Sequence, residues 1–128
     1  PEQDHFLESM AEAAKAVTTH CGENILYISV MNRLSVDCDC DSNPEEPKMA
    51  DIGMLASLDP VALDKACADM VINAPIIGGN KLAEAHPHEH LEGEDKFHLI
   101  HPDTNWQAGL RYAEEIGLGS QAYELITV

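Results

Sequence analysis

Asp37-Cys38-Asp39-Cys40-Asp41 is the segment whose residue types and spacing come nearest to chemistry. On an extended backbone the two thiols would share one side and the three carboxylates the other. Two thiolates on one side are half of a soft-metal site for zinc, iron or nickel. The carboxylates suit a hard cation such as calcium or magnesium. The surrounding negative charge raises a thiol pKa and works against a free nucleophile, an effect that a bound cation reverses. The same five residues also read as an acidic surface loop with two incidental cysteines. An iron–sulfur cluster held wholly by this chain does not fit the spacing. A cubane normally needs four thiolates, and Cys21 and Cys67 are far from the pair in sequence.

Histidines form the second candidate. His86, His88 and His90 alternate in one short tract, and His98 and His101 follow. Neutral imidazoles bind zinc, nickel or copper. No HExxH spacing of a zinc protease is present. The 86–90 tract reads as a solvated loop, whereas His98 and His101 flank Leu99 and Ile100 and are expected nearer a folded site. The third candidate is Asp51, Asp59 and Asp64. Residues at strand ends in α/β sheets often line a ligand crevice. Asp59 is expected simply to cap a helix, worth about 1 kcal/mol, and Asp64 is open. The metal set is therefore Cys38, Cys40, Asp37, Asp39 and Asp41, followed by Asp64, His98, His101 and His88. There is no GxGxxG, Walker A or GxSxG motif.

These residues need elements to position them. Phe6, Leu7, Met10, Ala13, Ala14 and Val17 recur at helical spacing, predicting a helix over 4–19 that stops near Gly22. Residues 25–31, ILYISVM, read as a strand buried on both faces. Residues 32–50 form a long acidic loop, a length usually reserved for function or disorder. A second strand is expected over 52–57. Asp59 as N-cap and Pro60 at the first position open a helix to about Asn73, with Leu63, Ala66, Cys67, Met70 and Val71 facing the core. Residues 74–102 are irregular and rich in histidine, with a helical turn at Lys81–Ala85. Thr104 and Gln107 fit a capping box. The helix after them buries Trp106, Leu110 and Ala113, and 123–128 reads as a last strand. The expected fold is α/β: a small mixed sheet flanked by about three helices, a single domain over 1–128 or part of a larger one.

Composition narrows the partners. The chain has 128 residues, with 23 acidic against 7 basic side chains and a net charge of −16. That sign repels phosphate backbones and anionic membrane surfaces, so neither nucleic acid nor membrane is expected as a partner. Cations and basic partners are favoured. No apolar run is long enough to span a bilayer. Four cysteines in this length do not make a disulfide scaffold, and Cys38 and Cys40 are poorly placed to bond each other. Reduced thiols and a cytoplasmic location follow. The first residue is Pro1, from which a trimmed or partial chain is expected.

Several segments together resemble one family. They are Asp37-Cys38-Asp39-Cys40, Asp51-Ile52-Gly53, Ala56-Ser57 with Asp59-Pro60-Val61-Ala62-Leu63-Asp64, Asp95-Lys96-Phe97, His101-Pro102, and Tyr112 to Gly119 with Tyr123-Glu124-Leu125. The family is the prokaryotic domain of unknown function 362, often described as Fe–S-centre proteins. The resemblance runs from the first helix to the last predicted strand. It implies that this chain is a C-terminal portion of a longer protein, since many members carry a ferredoxin-like insert with two CxxCxxCxxxCP motifs upstream. No such motif stands in this sequence, so the cluster ligands carry over to no residue here. The His86–His90 tract is outside the family pattern, and the resemblance implies no reaction.

Three functions follow as expectations. The first is a metal-binding or redox module, in which Cys38 and Cys40 ligate zinc, iron or nickel or abut a cluster held elsewhere, with a redox partner. The second is an enzyme in which a cation held by the 37–41 loop and Asp51 or Asp64 polarises a small substrate. The third is a structural half-domain whose apolar surface packs against a missing N-terminal portion or a second copy.

Overall fold

The computed structural model describes residues 2–37, 40–42 and 45–128. The elements, in chain order, are α1 (Glu2–Cys21), β1 (Tyr27–Met31), β2 (Gly53–Ser57), α2 (Pro60–Asn73), α3 (Lys81–Ala85), α4 (Lys96–Ile100) and α5 (Trp106–Glu115). This is a small α/β fold. β1 and β2 pair antiparallel in a two-stranded sheet, with Tyr27 opposite Ser57 and Met31 opposite Gly53.

Asp59 starts α2 as the sequence predicts. Its carboxylate accepts from the backbone N–H groups of Val61 and Ala62, and Pro60 needs no donor at the first position. α2 then lies on the sheet, where Met31, Met49 and Val71 form a core with Leu55, Ile52, Met70 and Phe97 around it. A second core joins Ala11 of α1, Val61 of α2 and Ala113 of α5. α1 and α5 run side by side in the same direction. Asn105 bonds Gln3 and Asp4 at their starts, Tyr112 bonds Glu12 midway, and Lys15 bonds the Gly117 carbonyl beyond the end of α5. A third core packs Val36, Ile76, Leu82 and Leu91 under α3 and α4.

Four expectations are corrected. The strand at 25–31 is covered on one face only: Ser29 and Met31 face α2, while Ile28 and Val30 are 60% and 61% exposed. The reason is that α2 is the helix packed against the sheet, and nothing among the described residues lies on its other face. Residues 123–128 form no strand; they run along α2, tied at Ser120 to Asp59 and at Tyr123 to Asp69. The capping box at Thr104 and Gln107 does not form. Asn105 precedes α5 without a side-chain cap bond, because its amide is committed to Asp4 and Gln107 reaches Asp95 instead. The segment 74–102 is less irregular than its prolines suggest. It contains α4, opened by Asp95 accepting from the His98 N–H.

No helix among the described residues is long and apolar enough to cross a membrane.

Candidate functional site

The acidic loop is held at its base by the core. Met49 is 1% exposed and bridges to Ile76. The Lys48 N–H donates to the Leu34 carbonyl at 2.7 Å, and the Ile77 N–H to the Lys48 carbonyl at 2.8 Å. Asn80 is buried and donates to the carbonyls of Pro47 and Ile77, while its own oxygen caps α3 at Ala83. These bonds pair backbone groups at the base of both arms, as burial demands.

Two lysines face this loop. Lys48 is buried, and its ammonium donates to the Ser35 carbonyl at 2.7 Å and lies 5.9 Å from the Phe97 ring centre. Burial pushes its pKa down. The Asp37 charge opposes that shift, and the Lys96 charge adds to it. Lys81 opens α3 and engages both arms of the loop. Its ammonium pairs with the Asp37 carboxylate, and its backbone N–H donates to Glu45 Oε2 at 3.0 Å. The hydrogen bond to Asp37 raises the Lys81 pKa, and the charges of Asp37, Glu45 and Asp41 act in the same direction.

The predicted site residues fall as follows. Asp37 is half-buried and held by Lys81. Cys38 and Asp39 lie outside the described residues. Cys40 and Asp41 are exposed on the loop. Asp51 accepts from the Arg33 N–H at 2.8 Å and so latches the end of β1 to the approach of β2. Asp59 is a cap with an added duty, accepting from the Ser120 N–H at 2.9 Å. Asp64 is on the exposed side of α2, at the edge of an apolar groove of about 260 Å³ with Leu7, Met10, Trp106 and Leu110. Although the residue is exposed, the groove wall partly desolvates its carboxylate, which raises its pKa.

His88, His98 and His101 are exposed, and His86 bonds Glu89 at 3.2 Å. Among the described residues, no three His, Cys, Asp or Glu side chains are grouped to hold a metal ion. Cys67 packs half-buried in the sheet–α2 core, as its helical position predicts. Burial raises its thiol pKa; a hydrogen bond with Ser29 opposes the shift, and the Asp64 charge reinforces it.

Sequence reasoning missed the lysines. Lys48, Lys81 and Lys96 are three of only 7 basic side chains in the chain, and that scarcity was the available signal. Lys96 is fully buried, with its ammonium on the carbonyls of Ile72 at 2.5 Å and Leu91 at 2.6 Å. It therefore closes the C-terminal end of α2 with a positive charge.

The family model described as "Domain of unknown function (DUF362)" matches residues 1–69. That span is more than half of the chain and covers α1, the sheet, the acidic loop and most of α2. The chain belongs to this family. No curated protein and no solved structure matches it.

Proposed function

We propose that the protein is a metal-binding or redox module whose ligands come from the Asp37–Asp41 loop. Cys38 and Cys40 supply thiolates to zinc, iron or nickel, or abut a cluster on another polypeptide. Asp37, Asp39 and Asp41 set the charge around them. A single observation carries the reading: both arms of an acidic loop converge on one residue, Lys81, through Asp37 and Glu45. Tethering of this kind fixes the two ends of the loop on a folded scaffold, as in binding loops. Thiolate ligands need a reducing compartment, so the reading goes with a cytoplasmic location.

The test is elemental analysis and an optical spectrum on protein purified without oxygen, for the wild type, Cys38→Ser, Cys40→Ser and Asp39→Asn. Near-stoichiometric metal is expected in the wild type, with loss in both serine variants. Full retention in all three variants, or an empty wild type, refutes the loop as the site. Greater loss in Asp39→Asn than in Cys38→Ser would favour a hard cation and the enzyme alternative.

The outer sheet face favours a second reading, that of an interaction module. Ile28 pairs with Ala56 and Val30 with Met54, and Met54 is 74% exposed. These four neighbours make an uncharged apolar face, and such a face is normally covered by other protein.

A further inference from the structure

We infer that the sheet lacks a strand, and that an extended segment of a partner polypeptide supplies it between β2 and residues 123–128. β2 pairs with β1 along one edge, and no strand among the described residues pairs with the other. That second edge lines a groove of about 390 Å³. Tyr123 to Ile126 line the groove as well, and Leu63 and Ala66 of α2 complete it. No backbone hydrogen bond among the described residues joins this segment to β2. Its start is nonetheless held in place by the Asp59 bond to Ser120 and by Tyr123 Oη donating to Asp69 at 2.8 Å.

The groove has volume for a short stretch of strand. At ~4.8 Å spacing, ~3.3 Å rise and ~10 Å layer depth, one strand residue fills about 160 Å³. The groove of about 390 Å³ thus takes roughly two to three residues at a time. Unpaired edges are templates for this kind of addition, in which main-chain bonds give affinity and alternate side chains give specificity. Charge selects the occupant. The groove wall carries Glu124, and the chain as a whole carries −16. An acidic segment, including one from a second copy, is therefore disfavoured, and a neutral or basic apolar segment is favoured. This inference deepens the interaction reading and is independent of metal at the loop.

The probe is a labelled seven-residue peptide of alternating valine and threonine with a lysine at each end, blocked at both termini. Its binding to the intact chain is followed by fluorescence anisotropy, and the amides by hydrogen exchange. Saturable binding is expected. It should weaken at least tenfold when alternate peptide nitrogens are methylated, and exchange should slow at Met54–Ser57 and along 123–127. Ala56→Pro should abolish binding; if that variant fails to fold, the methylated peptide on wild-type protein carries the same test.

Equal binding of both peptides, or no binding, overturns the inference. So does protection, without peptide, of those Met54–Ser57 amides that point away from β1, whether from pairing with 123–127 or from a dimer seen by light scattering. Protection confined to Ile28 and Val30 overturns strand insertion and leaves the interaction reading standing through the outer face.

Discussion

Replacing Gly119 with alanine would drive a methyl group into the carboxylate of Asp59. A Cβ at Gly119 would collide with Asp59 Oδ1 and stand 2.8 Å from Cγ, closer than real Cβ contacts come, with Oδ2 also tight at 3.1 Å. The carboxylate has little freedom to yield, since it accepts from Val61, Ala62 and Ser120 at 2.9, 3.0 and 2.9 Å. If the 119–120 backbone retreats, one charge-assisted bond is lost, worth about 1.5–3 kcal/mol. If the carboxylate moves, the α2 cap is lost as well, adding about 1 kcal/mol. The expected cost is therefore about 1.5–4 kcal/mol, a large part of a typical domain's stability. For a chain of this length it amounts to roughly 6–15 °C in Tm. The assay is urea and thermal unfolding followed by circular dichroism, in a double-mutant cycle with Asp59→Ala. In the Asp59→Ala background Gly119→Ala should cost less than about 0.5 kcal/mol, because the obstacle is gone. An equal cost in both backgrounds would refute the clash and place the effect in the backbone of Gly119 itself.

Three further outcomes follow from the titratable groups. Lys96→Met should destabilise the fold by about 2–4 kcal/mol, because the Ile72 and Leu91 carbonyls lose their donor. Lys96 binds its proton less tightly in the folded state, so its share of stability rises as pH climbs from its lowered pKa toward 10.5. On the acid side of pH 10.5, the unfolding free energy should gain less with rising pH in the variant than in the wild type. Asp64→Asn should stabilise the protein at neutral pH, because burial raises the carboxyl pKa and charging it there costs free energy. The gain should fade as pH falls through the raised pKa and vanish below 3.8, and a gain that persists in acid would contradict the argument. Finally, Cys67 should react with a disulfide reagent more slowly than exposed Cys21, because its thiol pKa is raised and it is half-buried. Equal rates in single-cysteine variants would show that the sheet–α2 core opens freely.

Much of the backbone was legible because local rules decide it. The apolar spacing of Phe6 to Val17 marks α1, and Asp59-Pro60 marks the start of α2 to the residue. Asn80 and Asp95 open α3 and α4 by the same capping chemistry, but α4 hid among the breakers Pro87 and Pro102. The strand at 123–128 failed for a different reason. A β-rich pattern states a preference, and a strand exists only when a neighbouring edge accepts its hydrogen bonds. The near-continuous apolar run at 25–31 likewise predicted two covered faces, and the fold covers one.

The sequence by itself determined where α2 begins, which strand residues are apolar, the acidic excess and the alternation of thiols and carboxylates at 37–41. Those properties lie within a few residues of one another, and short-range sterics and capping decide them. Tertiary structure alone decided that Lys81 gathers Asp37 and Glu45 across 44 and 36 residues. It also decided that Lys96 closes α2, and that Asp59 serves both a helix cap and Ser120 61 residues away. Contacts at such separations depend on how the elements pack, and no local pattern in the chain records which lysine will meet which carboxylate.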